Sequence, residues 1–326
     1  MKTSCTRNMP KSFKLIFTFA FLPVLLASPI AVAEDSAVDL LNRMNKALHQ
    51  LSYKGNLAYL RGDSLSTLHV DHSVVNGVAT ERVVRLNEGG SEISRELKGF
   101  SLSSIPRIRP EMESVYSFDM GRENRVANIP CRIITARPKD RERYLQKYCI
   151  DSATGMLLDY MLVGKSHKPV EQFMFTSIDI RIPEELSIEN GDVSNQAIIS
   201  LAKADTTILV PQAQAKKGSR QISNAALEDG WVIEALPAGF EISQAPHKKD
   251  ASDDAAVIKH YIVSDGLSSL SVFVSPLTDS TPTNAVKINS GALNVVTQKK
   301  GDHMITVVGE VPEITLKNIV KNLHKK

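Results

Sequence analysis

The chain has 326 residues, with 39 Lys and Arg against 36 Asp and Glu, for a net charge of +3. Four of the basic residues, Lys2, Arg7, Lys11 and Lys14, fall in the first 33 positions, which hold no acidic residue, so the rest of the chain stands at −1. That near-neutral remainder lacks the basic field that supplies most nucleic-acid affinity, which excludes DNA or RNA as the expected partner.

The charged start is followed by an apolar run, Leu15–Ala27, and then by Ala31-Val32-Ala33, a small–x–small pattern. Together these read as a signal peptide over residues 1–33, cleaved before Glu34. The run is shorter than the roughly 20 residues a spanning helix needs, and no cysteine follows it to carry a lipid. The mature chain is therefore expected to be soluble in the periplasm. Its length of about 293 residues exceeds one ordinary core. The expected division is a first domain over 34–202, a polar, small-residue linker over 203–226 and a second domain over 227–326.

Taken in chain order, Ser36–Leu51 is a predicted helix, because Val38, Leu41, Met44, Leu48 and Leu51 form one apolar stripe and Ser36 with Asp39 makes a capping-box start. Tyr53–Arg61 follows as a strand with Tyr53, Leu57 and Tyr59 on one face. In the next strand Leu68, Val70 and His72 alternate with polar residues. Asn76-Gly77 between Val75 and Val78 signals a two-residue hairpin into Val78–Leu86. Gly99, Pro106 and Pro110 break any pattern over 97–114. Strands resume at Ile129–Arg137, Arg143–Ile150, Met156–Val163 and Val170–Ile182. In the last of these, alternation puts Phe173 and Phe175 on one face and Met174, Ile178 and Ile180 on the other. Beyond the linker, short strands over Trp231–Ile242, Val257–Ser264, Ser269–Pro276, Ala292–Lys299 and Met304–Gly309 lead to a helix over Pro312–His324, with Trp231 as a core anchor. The fold class is thus α+β: a long antiparallel sheet with one early helix, then a small α+β unit.

Outside the leader the cysteines are Cys131 and Cys149. If their strands form a hairpin centred on Asp140, the two face each other directly, close enough to bond. An oxidising compartment permits a structural disulfide worth about 3 kcal/mol. Two free buried thiols remain the alternative, and a redox CxxC pair is absent. The intervening run Lys139-Asp140-Arg141-Glu142-Arg143 reads most simply as a solvated turn, with a partner contact as the alternative. Histidines are scattered; His69 and His72, three apart on a strand, face opposite ways and cannot easily share a metal. No G-x-S-x-G elbow, H-E-x-x-H, phosphate loop or dinucleotide fingerprint occurs, so neither catalysis nor a cofactor is expected. Ser264-Asp265-Gly266 fits a turn between strands. An exported chain with an extensive sheet and no catalytic signal points to binding.

Two stretches carry a family resemblance. Within Cys131–Asp179, the segments CRIITARPKDRERY, DSATGMLLDYML and VEQFMFTSID, and later YIVSDGLSSLSVFV at Tyr261–Val274 and TVVGEVP at Thr306–Pro312, resemble the RseB/MucB regulators of the sigma-E envelope-stress response. The resemblance implies an N-terminal open half-barrel of the lipoprotein-carrier (LolA/LolB-like) type holding a helix, with a smaller C-terminal domain. It implies a negative regulator that binds the periplasmic domain of a membrane anti-sigma factor (RseA or MucA in kind) and shields it from site-1 proteolysis. Lipopolysaccharide or lipoprotein acyl chains would occupy the half-barrel and release that partner. On this reading Leu57, Tyr59, Phe173 and Phe175 line the ligand cavity, unless they simply pack the core. Ser264, Asp265, Gly266, Gly309 and Glu310 are the candidate partner surface, unless they are turn chemistry. Between Glu92 and Tyr116 the chain is shorter and less patterned than the family implies, in a region expected to form cavity wall. A lipid or lipoprotein carrier on the same fold is the alternative function, and a homo-oligomer is compatible with the sequence.

Overall fold

Ser36 accepts a hydrogen bond from the Asp39 backbone N–H at 3.1 Å, and the Asp39 carboxylate reaches back to Ser36, closing the capping box that starts α1 (Ala37–Gln50). The computed structural model describes residues 36–86, 101–181, 225–226, 230–244, 258–277 and 287–326. The expected signal peptide and its cleavage point, nearly all of the linker, and residues 87–100 lie outside those residues. The α1 stripe, with Leu41, Met44 and Leu48 fully buried, faces an eight-stranded antiparallel sheet and joins it in one continuous core.

The strands are β1 (Ser52–Arg61), β2 (Ser64–Val75), β3 (Val78–Leu86), β4 (Tyr116–Val126), β5 (Ile129–Pro138), β6 (Leu145–Ile150), β7 (Leu157–Val163) and β8 (Pro169–Arg181). Their order is β3-β2-β1-β8-β7-β6-β5-β4, so the sheet is open, with β3 and β4 at its ends. Asn76 and Gly77 both adopt positive φ, 52° and 76°, which makes the tight turn that sets Val75 opposite Val78. His72 is buried and hydrogen-bonds the Leu51 carbonyl, whereas His69 bonds Asn56 on the other face, as their spacing requires.

The structure corrects several local expectations. β4 was not anticipated, because Gly121 and the polar run Arg122–Arg125 mask its alternation, and its pairing with β5 is irregular between Met120 and Glu123. In β8 a bulge at Thr176 sets Leu57 opposite Phe175 but Gly55 opposite Ile178. Ile178 and Ile180 therefore share the inner face with Phe173 and Phe175 and pack on the core, while Met174 alone of the predicted outer set stays outside, 38% exposed. Cys131 and Cys149 are disulfide-bonded with Cα atoms 5.4 Å apart, but Cys149 opposes Ile133, so the bond is diagonal and the hairpin register lies two residues from the one centred on Asp140. Finally, the last helix ends at Asn322.

The remaining elements form a second lobe. Ala225–Ala226, assigned above to the linker, is β9, and it pairs with β10 (Trp231–Ile233), which also pairs with β17 (Leu323–Lys325). A six-stranded antiparallel sheet has the order β11 (Glu241–Gln244), β12 (Lys259–Ser264), β13 (Ser269–Pro276), β16 (His303–Gly309), β15 (Leu293–Lys300), β14 (Lys287–Ser290). α2 (Glu313–Asn322) starts after Pro312 and buries Leu316, Ile319 and Val320 against this sheet and Trp231. The lobe thus has its own core, yet its described residues fall in the same compact unit as those of the first lobe.

Candidate functional site

The four candidate cavity residues come together. Leu57 opposes Phe175 and Tyr59 opposes Phe173 on the inner face, and all four are buried in the core shared with α1. Phe173 packs against Tyr160 at 5.6 Å between ring centroids, and Tyr160 against Tyr148 at 5.1 Å, forming an aromatic row across β1, β8, β7 and β6. The hydroxyl end of this row is polar. Tyr59 donates to Glu171 at 2.6 Å, while the Tyr148 and Tyr160 hydroxyls share the Gln146 side-chain oxygen. Burial raises the pKa of Tyr59, Tyr148 and Tyr160, keeping these phenols protonated as donors.

That end of the sheet is where the second lobe sits. The end of β1, the starts of β4, β6 and β8 and the ends of β5 and β7 all lie together by register. The charged run at 139–143, expected to be solvated, instead inserts here. Arg143 has no exposed side-chain surface. Its guanidinium bonds the carboxylates of Asp140 and Asp265 and the carbonyl of Ala238, so two of its three partners belong to the second lobe. It lies 4.4 Å from the Phe240 ring centroid and 5.6 Å from that of Tyr116. Burial by itself would lower the Arg143 pKa, but the hydrogen bond and charge of Asp265 outweigh that and raise it.

Asp265 accordingly does not face solvent, although it was grouped with the candidate partner surface. One carboxylate oxygen accepts from Arg143 and, at 2.8 Å, from the Tyr116 hydroxyl; the other accepts the Leu267 and Ser268 backbone N–H groups at 2.8 and 2.7 Å. The second pair holds the turn between β12 and β13, and the first ties that turn to the other lobe. Burial and then the Asp265 charge push the Tyr116 pKa up. Gly266 has φ 98°, and a Cβ there would overlap the Met112 methyl and lie 3.1 Å from Arg109, so glycine lets the turn seat on the first lobe. Gly309 serves packing within the second lobe, since a Cβ would sit 2.7 Å from the Leu270 Cα. Ser264 closes the same turn through the Ser268 carbonyl.

Further contacts flank this centre. Thr315 donates to the Glu142 carbonyl at 2.8 Å and Asn318 to its side chain at 3.1 Å, so α2 rests on the inserted tip. Asn294 donates to the Tyr144 hydroxyl at 3.0 Å and to the Val311 carbonyl at 2.8 Å. Tyr144, Leu162 and Ala292 form a small apolar cluster with Val170 across the junction. Glu310, exposed on one side, has its pKa raised by partial desolvation and by Glu171 of β8, with Arg61 opposing. Only the long-range contact distinguishes the tip from an ordinary charged turn; nothing in its own residues marks it.

The model for the MucB/RseB N-terminal domain matches residues 36–104 and 94–198, and that for the MucB/RseB C-terminal domain matches 225–324. The chain belongs to the MucB/RseB family. It is 27% identical over 322 residues to the sigma factor AlgU regulatory protein MucB of Pseudomonas aeruginosa, covering 92% of this chain and 94% of that one. It is 25% identical over 321 residues to the sigma-E factor regulatory protein RseB of Escherichia coli K12, with the same coverage. Among solved structures, MucB in complex with MucA(peri) superposes with a TM-score of 0.62 at 25% identity, covering 89% of this chain and 99% of that one. A crystal structure of MucB superposes at 0.53 and 23% identity over the same 89% of this chain. Among the described residues, no three His, Cys, Asp or Glu side chains gather to hold a metal, and no helix is long and apolar enough to cross a membrane.

Proposed function

We propose that this protein is a periplasmic negative regulator of the sigma-E envelope-stress response. It binds the periplasmic domain of a membrane anti-sigma factor and shields that domain from site-1 proteolysis. The observation that carries this reading is the family match through both lobes together with the likeness to MucB in its complex with MucA(peri). The chain acts by binding rather than catalysis and reaches its compartment through cleavage before Glu34. Of the candidate partner residues, exposed Glu310 is our choice for direct contact with the partner, and buried Asp265 for an indirect role through its bond with Arg143. Release by lipopolysaccharide or lipoprotein acyl chains at the inner face requires a ligand that prefers the partner-free form. Inverting a 1:99 balance takes about 5.5 kcal/mol of differential affinity, which several buried methylenes supply at about 0.8 kcal/mol each.

Capture of the mature protein, tagged at its C-terminus, from detergent-solubilised envelopes tests the reading. The expected companion, in stoichiometric amount, is a single-span inner-membrane protein with a cytoplasmic sigma-binding domain. Recovery of outer-membrane lipoproteins without it would replace the regulator with a lipoprotein carrier.

A further inference from the structure

We infer that Arg143 is the residue that registers the two lobes, and that the surface recognised by the anti-sigma partner exists only while Arg143 bridges to Asp265. The inference rests on the regulator reading for its partner and on the junction alone for its mechanics. Arg143 comes from the first lobe and is enclosed by three acceptors and two aromatic rings. Asp265 comes from the second, and its side chain is equally enclosed. A buried ion pair gains little net free energy over an apolar contact of the same size, because two charges must first leave water. Its effect is on geometry. Any slip or rotation of the second lobe would leave a guanidinium or a carboxylate desolvated without its partner, so displaced arrangements are penalised far more than the docked one is favoured.

The surroundings fit a docked state that is selective and reversible rather than fused. The other polar contacts across the junction are neutral or singly charged hydrogen bonds, from Thr315, Asn318, Asn294, Tyr116, Gln146 and Arg61, and the shared apolar cluster is small. Lobe docking is therefore a two-state element with Arg143 as its key. A partner that spans both lobes would bind the docked state and stabilise it, and a ligand that favours separated lobes would release that partner without touching its seat.

The test uses three variants of the mature-length chain: Arg143→Met, Asp265→Asn and the double variant. Asparagine keeps an oxygen for the Leu267 and Ser268 N–H groups, so the turn survives while the cross-lobe charge is lost. Two readouts are taken: small-angle scattering for lobe docking, and affinity for the periplasmic domain of the anti-sigma factor captured as above, produced by itself. Arg143→Met is expected to expand the particle and weaken partner binding by about 100-fold or more, since a buried carboxylate is left without its cation. The double variant, with neither charge buried, is expected to restore compactness and recover binding to within about 10-fold of the parent. An Arg143→Met chain that scatters and binds as the parent does would overturn the inference, and so would a double variant no better than Arg143→Met. Should Arg143→Met lose its circular dichroism signal, Asp265→Asn decides by the same readouts, because Arg143 then keeps Asp140. Failure of the parent itself to bind the captured domain would sink the regulator reading and leave the scattering to judge the key.

Discussion

The inner face of the first sheet is closed in two ways. Beneath α1 it is closed by apolar side chains, with Leu41, Met44 and Leu48 in one buried cluster with Leu57 and Phe175. At the other end it is closed by a second lobe through charges and hydroxyls, with Arg143, Asp265, Tyr116, Gln146 and Glu142 at the contact. Apolar burial is non-directional and scales with the area removed from water, so the α1 end supplies stability with little demand on exact placement. Hydrogen-bonded charges behave oppositely: they add little net stability and tolerate few arrangements. One sheet is thereby anchored at one end and registered at the other, and a regulator that must hold and release a partner has reason to keep these tasks apart.

The largest expected effect lies at the anchored end. Phe175→Ala should lower unfolding free energy by about 3–5 kcal/mol through lost burial and a residual cavity, read from urea denaturation. If the comparison holds, the variant that still folds at low temperature should scatter as a docked particle. A parent-like stability would mean that Phe175 lines open space and would revive its role as cavity wall. Next comes the disulfide. Its closure spans 18 residues of hairpin, so replacing Cys131 and Cys149 together by alanine should cost about 3 kcal/mol, measured against the parent under non-reducing conditions. Because the bond braces β5 and β6, which carry the inserted tip between them, a concurrent loss of lobe docking would tie anchor and register together and blur the division drawn above.

How much of this was legible beforehand follows the range of the interactions. The helix cap at Ser36 and the Asn76-Gly77 turn are settled by neighbours within three residues, and both elements fall where the sequence puts them. The four inner-face residues were readable because strand alternation is local too, until a single bulged residue at Thr176 reversed the parity and carried Ile178 and Ile180 inward. β4 escaped notice because an end strand need not alternate cleanly. Arg143 was the deepest miss. Charged residues in a turn are normally solvated, and the contact that reverses this lies 122 positions away at Asp265. The family resemblance marked both segments without saying that they meet.

At the registered end, Thr315→Val keeps the side-chain shape but removes the donor to the Glu142 carbonyl. It should cost about 1–2 kcal/mol if that carbonyl stays buried, seen as a lowered melting temperature together with a small expansion in scattering. A melting change without expansion would place the contribution of α2 inside its own lobe and narrow the junction to the Arg143 tip.

The smallest effect expected is at Glu310, and its sign is informative. Partial desolvation, followed by the neighbouring Glu171, raises the Glu310 pKa, and Arg61 only partly offsets them. A carboxyl whose folded pKa is raised contributes stability that is fully present below the unfolded value and is lost as pH rises through the folded value. Ionised Glu310 therefore weighs against the docked state at neutral pH, and Glu310→Gln should be slightly more stable than the parent there. The gain should stay within about 0.5 kcal/mol, because solvent reaches the group and screens it. Comparison of melting temperatures at neutral pH and below the carboxylate range checks this, with the difference expected to vanish in acid. A variant less stable than the parent at neutral pH would mean that Arg61 dominates. The edge of the junction would then be charge-matched like its centre, and acid would loosen the lobes by protonating two paired carboxylates rather than one.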